Sequence, residues 1–425
     1  MSGFSMRRRQ ASRLNLGRQG NMAALTAMLM PVLIGAAGLA SDTAQWVLMR
    51  RALQRQADSA ALAGAYAITQ GRTAASGATL DLAKNQNFTL TGAPLIENAP
   101  STGPWAGNRD AVRVRLVATS NLPFSSLFLG GGTSISAEAV AGLQQDGDYC
   151  ILALDSSASI GITNSGNTLV DARCGMHSNS TGEPAITGQG SATIFASPVS
   201  AVGNINSSSN FAPGTLFTPY NVAQRDPYAS LPDPAIISNG QNIGVNPNQT
   251  RSLSPGTYRS FDIKGTANLA PGVYYIDGRN GGGLDIGSQA VLNGTGVTFV
   301  LTNSNFTSAA STGTAAAVRI NGGARLNLTA PTAGTFKGVL IYQDRRAAAM
   351  SETVQVNGNS ASRLRGAIYT PRNEMRFNGT SGMDIDCLQM IGFRITFTGT
   401  SDIRNICPAN SGSGAFKGGI VRLLS

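Results

Sequence analysis

A short phrase of apolar and polar residues returns at intervals along the second half of the chain, and it constrains the fold more than any other feature. Each copy reads apolar, polar, apolar and then a turn at or near glycine, as in FDIKGTANL and LDIGSQAVL. The six clearest copies begin at Phe261, Leu284, Val318, Val354, Met375 and Ile395. Their starts are 23, 34, 36, 21 and 20 residues apart, and the two longest intervals contain insertions.

A repeat of this length, made of short strands and turns, is typical of a β-helix solenoid. One turn of such a fold cannot bury its apolar face alone, whereas stacked turns form a continuous core. A leucine-rich repeat would need a denser leucine pattern, and a β-sandwich would not return the same phrase in the same phase. We therefore predict a mainly β chain with a C-terminal right-handed parallel β-helix over residues 149–410 and a tail at 411–425.

The four cysteines have the spacing of this repeat. Cys150 and Cys174 are 24 residues apart, and Cys387 and Cys407 are 20 apart. Residues one turn apart in a solenoid stack about 4.8 Å from each other, which is within the Cα separation of a disulfide. We predict two disulfides that clamp the first and last turns. A zinc site is the alternative, but there is no Cys-x-x-Cys pair and the single histidine, His177, is expected at the surface.

The polar position inside each phrase is the place to look for catalysis. Asp262 and Asp285 could stack as the paired carboxylates of a glycoside hydrolase. The same position then changes, as a solvated outer face would, to Arg319, Gln355, Arg376 and Thr396. We predict no enzyme activity, no catalytic residue, no cofactor and no metal ligand.

The amino-terminal stretch indicates the cellular location of the protein. Met22 to Ala40 is 19 residues without a charge, about 28 Å as a helix and close to the apolar thickness of a bilayer. Helical spacing of small and apolar residues continues to residue 68, which favours a retained anchor over a cleaved signal peptide or a buried helix. Residues expected at the membrane interface are Arg18, Asp42, Trp46, Arg50 and Arg51.

Charge supports a membrane location over nucleic-acid binding. The formal charge of +10 is concentrated on arginines that flank the apolar stretch. Arginines before the stretch place the amino terminus in the cytoplasm and the bulk of the chain outside it. The domains predicted before the β-helix are a basic tail at 1–20, an anchor and extended helix at 21–70, and a small α+β membrane-proximal unit at 71–148.

Residues 20–65 resemble the amino-terminal segment of TadG-like proteins of bacterial Flp/Tad pilus-assembly systems. The resemblance lies in Gly20-Asn21, Pro31, Asp42, Arg50-Arg51 and the alanine-rich stretch 58–65. It departs from pilins, since the residue five after Gly20 is Leu25 and not the glutamate of a pilin processing site, which favours an intact anchor. CILALDSSASIGITNSGNTLVDARCGMHSNS also resembles the extracytoplasmic part of some TadG-related proteins.

The resemblance implies a single-pass protein of the bacterial inner membrane, with its bulk in the periplasm or facing the surface. Its expected partners are pilus-assembly proteins or pilus subunits, membrane lipid along residues 22–40, and cell-wall polysaccharide. The alternative function is a membrane-tethered or secreted β-helix carbohydrate-active enzyme or adhesin.

Overall fold

The computed structural model of the chain describes residues 19–85, 89–128, 130–206, 209–235, 240–306, 313–357, 362–379, 383–385, 388–399, 402–405 and 415–424. The chain is mainly β, with an apolar helix near its amino terminus. It divides into two compact units, Met1–Gly142 with Arg422–Ser425 and Leu143–Val421.

The first unit combines two helices with an antiparallel sheet. Its elements are α1 Gln19–Thr69, α2 Ala74–Lys84, a 3-10 helix Ser125–Leu127, β1 Leu95–Asn98, β2 Ala111–Ser120 and the first part of β3 Thr133–Ala153. β2 lies in the centre and pairs antiparallel with both β1 and β3.

Small residues let the two helices of this unit pack closely. Leu53, Ala57 and Ala60 are fully buried on α1, and a side chain added at Gly77 of α2 would lie 2.4 Å from the carbonyl oxygen of Ala63. Thr73 caps α2, because its hydroxyl accepts a hydrogen bond from the backbone N–H of Ser76 at 3.2 Å. The part of α1 beyond residue 50 is therefore a core element of a folded unit.

The second unit is a solenoid-like sheet of short strands paired in parallel. Its strands are the second part of β3, then β4 Ile162–Asn164, β5 Leu169–Asp171, β6 Gly175–Ser178, β7 Ile186–Gly188, β8 Thr193–Phe195, β9 Val199–Ala201, β10 Ile205–Asn206, β11 Phe217–Thr218, β12 Gln241–Val245, β13 Thr250–Leu253, β14 Gly256–Ile263, β15 Thr266–Leu269, β16 Gly272–Asp277, β17 Gly283–Ile286, β18 Val291–Thr295, β19 Val297–Thr302, β20 Ala317–Ile320, β21 Arg325–Thr329, β22 Val339–Gln343, β23 Thr353–Val356, β24 Arg363–Gly379, β25 Met383–Ile385, β26 Leu388–Gly399, β27 Asp402–Asn405 and β28 Phe416–Leu423. We call one turn of this sheet a coil.

The register of the coils confirms the alignment of the repeated phrase. Strand partners run, one coil to the next, through Phe261, Leu284, Val318, Val354, Met375 and Ile395. Every one of these apolar side chains is at least 98% buried, and all belong to one continuous core. The insertions in the two long intervals leave this register unchanged, because each coil must present its apolar residue to the same core.

The order of the coils in space differs from their order in the chain. The last aligned coil, residues 388–399, pairs in parallel with the first, residues 150–164, through Ile395 with Ile162 and Met390 with Ile151. We call this contact the seam. Among the described strands, β12 lies at one end of the stack and β10 and β11 lie at the other.

This order corrects the predicted position of the Cys150–Cys174 disulfide. The two cysteines are joined, with Cα atoms 5.8 Å apart, but they lie in the two coils next to the seam, with further coils on both sides, and do not clamp an end. The prediction of clamped ends assumed that chain order and stacking order coincide. Cys387 and Cys407 lie outside the described residues.

Residues 221–235, which we call the strap, connect β11 to β12 and lie against the outer face of the second unit. Tyr228 packs against Tyr369 with ring centroids 5.4 Å apart, and the Tyr369 hydroxyl donates to Asp226 at 2.6 Å. The Arg345 guanidinium donates to backbone carbonyls of the strap, including that of Tyr228 at 2.9 Å. The strap thus covers outward-facing aromatic residues that would otherwise be exposed.

Two positions at one corner of the stack require glycine because of their backbone conformation. Gly166 and Gly190 have φ of +81° and +66°, a region that favours glycine. A Cβ at Gly166 would lie 2.9 Å from the carbonyl oxygen of Gly399, across the seam. The corner therefore excludes side chains on both steric and conformational grounds.

Candidate functional site

The first half of α1 exposes apolar side chains to an unusual degree. Met28 is 77% exposed, Leu33 is 65% exposed, and most of the described side chains between 22 and 40 are likewise exposed. A helix of a water-soluble protein would turn such residues toward a core. Among the described residues, α1 is the one helix long and apolar enough to cross a membrane.

The helix changes character at Asp42, which is only 3% exposed. Its carboxylate accepts a hydrogen bond from the backbone N–H of Phe124 at 3.0 Å, and two more from the N–H and the hydroxyl of Ser125. These donors belong to the connection between β2 and β3. We call residues 122–128 the collar loop, because they lie against α1 where its apolar segment ends.

Three other residues predicted at the interface, Trp46, Arg50 and Arg51, lie on α1 after Asp42. The guanidinium of Arg50 lies over the ring of Trp46, 5.4 Å from its centroid. Arg51 is exposed, and Arg18 lies outside the described residues. The sequence pattern identified Asp42 as part of this region but missed its partner, because Phe124 and Ser125 are more than 80 residues away along the chain.

The two aspartates considered as a catalytic pair each form an ion pair with a basic side chain. Asp262 and Asp285 are strand partners, as predicted. Asp262 lies 2.9 Å from the ammonium of Lys264, and Asp285 lies 3.1 Å from the guanidinium of Arg319. A glycosidase uses two carboxyl groups that both face the substrate, whereas each of these carboxylates is paired with its own basic side chain.

His177 is buried, which makes the expectation of a surface residue wrong. Its Nε2 lies 3.0 Å from the amide oxygen of Asn179, and its Nδ1 is hydrogen bonded to the hydroxyl of Ser200. Burial lowers the pKa of His177 to about 3, so the ring is neutral at physiological pH. The Ser–His–Asn order resembles that of hydrolytic triads, but the side chains of His177 and Ser200 are both 0% exposed to solvent.

A cleft of about 320 Å³ lies on the second unit beside the end of the strap. Its walls include Pro232, Tyr275, Pro331 and Phe336. Asp233 also lines the cleft and lies 3.5 Å from the Arg345 guanidinium. No sequence motif singled it out, because its walls combine residues of repeat strands such as β16 with residues of the strap and of the connection 331–336. Within the described part of the chain, no group of His, Cys, Asp and Glu side chains is arranged to hold a metal ion.

Comparison with known protein families finds a match on helix α1. Residues 20–67 match the family described as putative Flp pilus-assembly TadE/G-like. No curated protein and no solved structure matches the chain significantly. The matched range covers the exposed apolar segment, Asp42, the Trp46–Arg50 pair and most of the part of α1 that packs in the first unit. The chain therefore carries a TadE/G-like Flp pilus-assembly segment at its amino terminus, in support of a role in Flp/Tad pilus assembly.

Proposed function

We propose that this protein is a single-pass membrane protein that serves Flp/Tad-type pilus assembly by binding, without catalysis. One observation carries the proposal: the range that matches the TadE/G-like family is also the helix whose apolar side chains are left exposed. Residues 22–40 contact membrane lipid in this proposal. Residues 21–70 form the anchor and extended helix, and 71–148 form the membrane-proximal unit.

Charge and the disulfide support the proposed direction of insertion. The arginines before the apolar segment favour a cytoplasmic amino terminus in the bacterial inner membrane. The Cys150–Cys174 disulfide supports an oxidising compartment for the bulk of the chain, as in the periplasm or at the cell surface.

The solenoid-like unit is proposed to be a right-handed β-helix that presents a long binding face. Crossovers between parallel strands are right-handed in nearly all known cases, which supports this hand. Stacked coils give extended surfaces suited to binding proteins. Pilus subunits or assembly proteins are the proposed partners, with cell-wall polysaccharide as a further one. Asp262 and Asp285 are each paired with a basic side chain, which supports binding over hydrolysis.

Deletion and complementation in a bacterium that makes such pili tests the proposal. Loss of the gene should abolish or strongly reduce surface pili, and the full chain should restore them. A matched variant carries a cleavable signal peptide in place of residues 1–41, which releases the rest of the chain as a soluble protein. We expect this variant to be secreted and folded but unable to restore pili.

Two outcomes would overturn the proposal. Normal piliation in the deletion strain would remove the role in assembly, and full rescue by the soluble variant would remove the need for an anchor. Release of reducing ends from a bacterial or plant glycan by the purified chain would favour the carbohydrate-active alternative. An epitope after Ser425, tested for protease accessibility before and after the outer membrane is opened, gives the orientation independently.

A further inference from the structure

We infer that the collar loop enters the membrane interface beside α1 and contacts lipid through Leu127 and Phe128. This inference rests on the proposed anchoring of residues 22–40. It adds a second membrane-contacting element, drawn from the connection between β2 and β3, that no family match covers. Three independent features of the first unit support it.

The first feature is the height of the loop along the helix. The ring of Phe124 lies directly on α1 at Gly38, where an added Cβ would be 2.3 Å from the ring. Gly38 precedes Asp42 by four residues, or about 6 Å along the helix axis toward the apolar segment. The loop therefore overlaps the carboxyl-terminal end of the segment that is proposed to span the membrane.

The second feature is the way in which the loop is held at this height. Asp42 accepts hydrogen bonds from two successive backbone N–H groups and from the Ser125 hydroxyl. A buried carboxylate with several donors is a strong, directional attachment. Phe124 and the 3-10 helix Ser125–Leu127 are thereby fixed to the end of the apolar segment.

The third feature is what the loop exposes. Leu127 is 75% exposed and Phe128 is 74% exposed, and the Phe128 ring lies 5.3 Å from that of Phe124. On α1 the exposed apolar surface continues at Leu39, which is 57% exposed. Clustered, exposed apolar side chains mark a surface that another apolar phase covers. Because this cluster adjoins the spanning segment, lipid is the occupant that the geometry favours.

Quenching of tryptophan fluorescence by brominated lipids tests the inference on the full chain in liposomes. The chain has two natural tryptophans, at 46 and 105. In a Trp46→Phe, Trp105→Phe background, the Phe128→Trp variant reports on the loop and the Leu33→Trp variant reports on the anchor. Circular dichroism checks that both variants keep the native fold, which is expected because both positions are exposed.

Natural Trp105, kept alone in a Trp46→Phe chain, is the matched control. It lies in the connection that leads into β2, whose ten residues separate it from the collar loop by roughly 30 Å. We expect no quenching of Trp105. Phe128→Trp should be quenched most by lipids brominated near the headgroup, and Leu33→Trp most by lipids brominated deep in the acyl chain.

The outcomes separate this inference from the anchoring on which it rests. Quenching of Leu33→Trp with none of Phe128→Trp would overturn the inference and leave the anchor in place, with another protein as the cover of the loop. Absence of quenching for Leu33→Trp would overturn the anchor itself. Quenching of Trp105 equal to that of Phe128→Trp would also refute the inference, because the bilayer would then contact the unit without regard to the loop.

Discussion

Replacing Asp155 by asparagine tests whether the seam holds the solenoid-like unit together. Asp155 is 2% exposed and lies in the first coil, and its carboxylate is 2.6 Å from the Nε of Arg394 in the last. It also accepts hydrogen bonds from the N–H of Ser157 at 2.9 Å and from the Ser157 hydroxyl at 3.0 Å. The ion pair therefore joins parts of the chain that are 239 residues apart.

The expected loss of unfolding free energy depends on how deeply each partner of this ion pair is buried. Removing one partner of a fully buried ion pair costs about 3–5 kcal/mol. The Arg394 side chain is 30% exposed and regains some hydration when its partner is lost, so we expect about 2–3 kcal/mol for Asp155→Asn. The asparagine oxygen can still accept the Ser157 N–H, which leaves the local turn intact.

Acid should have the same effect as the substitution. Burial raises the pKa of Asp155, but the hydrogen bonds from Ser157 and Arg394 outweigh it and hold the pKa below its usual value. A carboxyl with a depressed folded-state pKa contributes stability that is present above its unfolded pKa, near 4. This stability is lost as the pH falls through the folded-state pKa.

Urea unfolding of the full chain in detergent, followed by the circular dichroism of the strands, measures the cost. For a unit of this size, with m of about 3 kcal/mol/M or more, the midpoint should fall by roughly 0.5–1 M. Asp285→Asn is the control, because Asp285 and Arg319 form an exposed pair that is worth about 1 kcal/mol or less. Equal shifts for the two variants, or no shift for Asp155→Asn, would refute the reasoning.

Three further predictions concern the seam, its corner and the buried histidine. Cysteines introduced together by Thr163→Cys and Thr396→Cys, which are strand partners, should give a cross-linked peptide pair in mass spectrometry that neither single variant gives. Gly166→Val should destabilise the second unit by about 2 kcal/mol or more in urea unfolding, while Gly244→Ala, at an open position with an ordinary φ, should be close to neutral. Because folding lowers the pKa of His177 from 6.5 to about 3, the unfolded state gains a proton first on acidification, so stability should fall from pH 6.5 toward 3. His177→Gln should flatten that part of the pH profile, and an unchanged slope would contradict the burial of a neutral ring.

The repeated phrase predicted the register of the coils because each apolar residue has only one face to occupy. A shift of one residue at Val318 would turn its side chain from the core to solvent, so the alignment by sequence and the alignment in space had to agree. The same logic predicted that Asp262 and Asp285 would be neighbours. The alignment also makes Arg319 the strand partner of Asp285, while Lys264 follows Asp262 by two residues, but the ion pairs themselves were not predicted.

The stacking order could not be predicted from the sequence. A repeat shows which residues occupy equivalent positions in each coil, but it does not show which coils are neighbours. Ile395 fits the coil of Ile162 as well as it would fit any other, and nothing local distinguishes the two arrangements. His177 was misjudged for a related reason. Its amide neighbour Asn179 contacts Gln224 of the strap, so its burial depends on a segment 45 residues away.

The seam also has a consequence for the synthesis of the chain. A chain made from its amino end produces the edge at residues 151–164 early, and the strand that pairs with this edge, 388–399, comes almost last. Until then the edge offers unpaired backbone groups, which invite aggregation or capture by a chaperone. Any truncated product that stops before residue 388 keeps that edge open. Closure of the unit therefore requires nearly the whole chain, and truncated copies are expected to be more open to proteolysis than the complete protein.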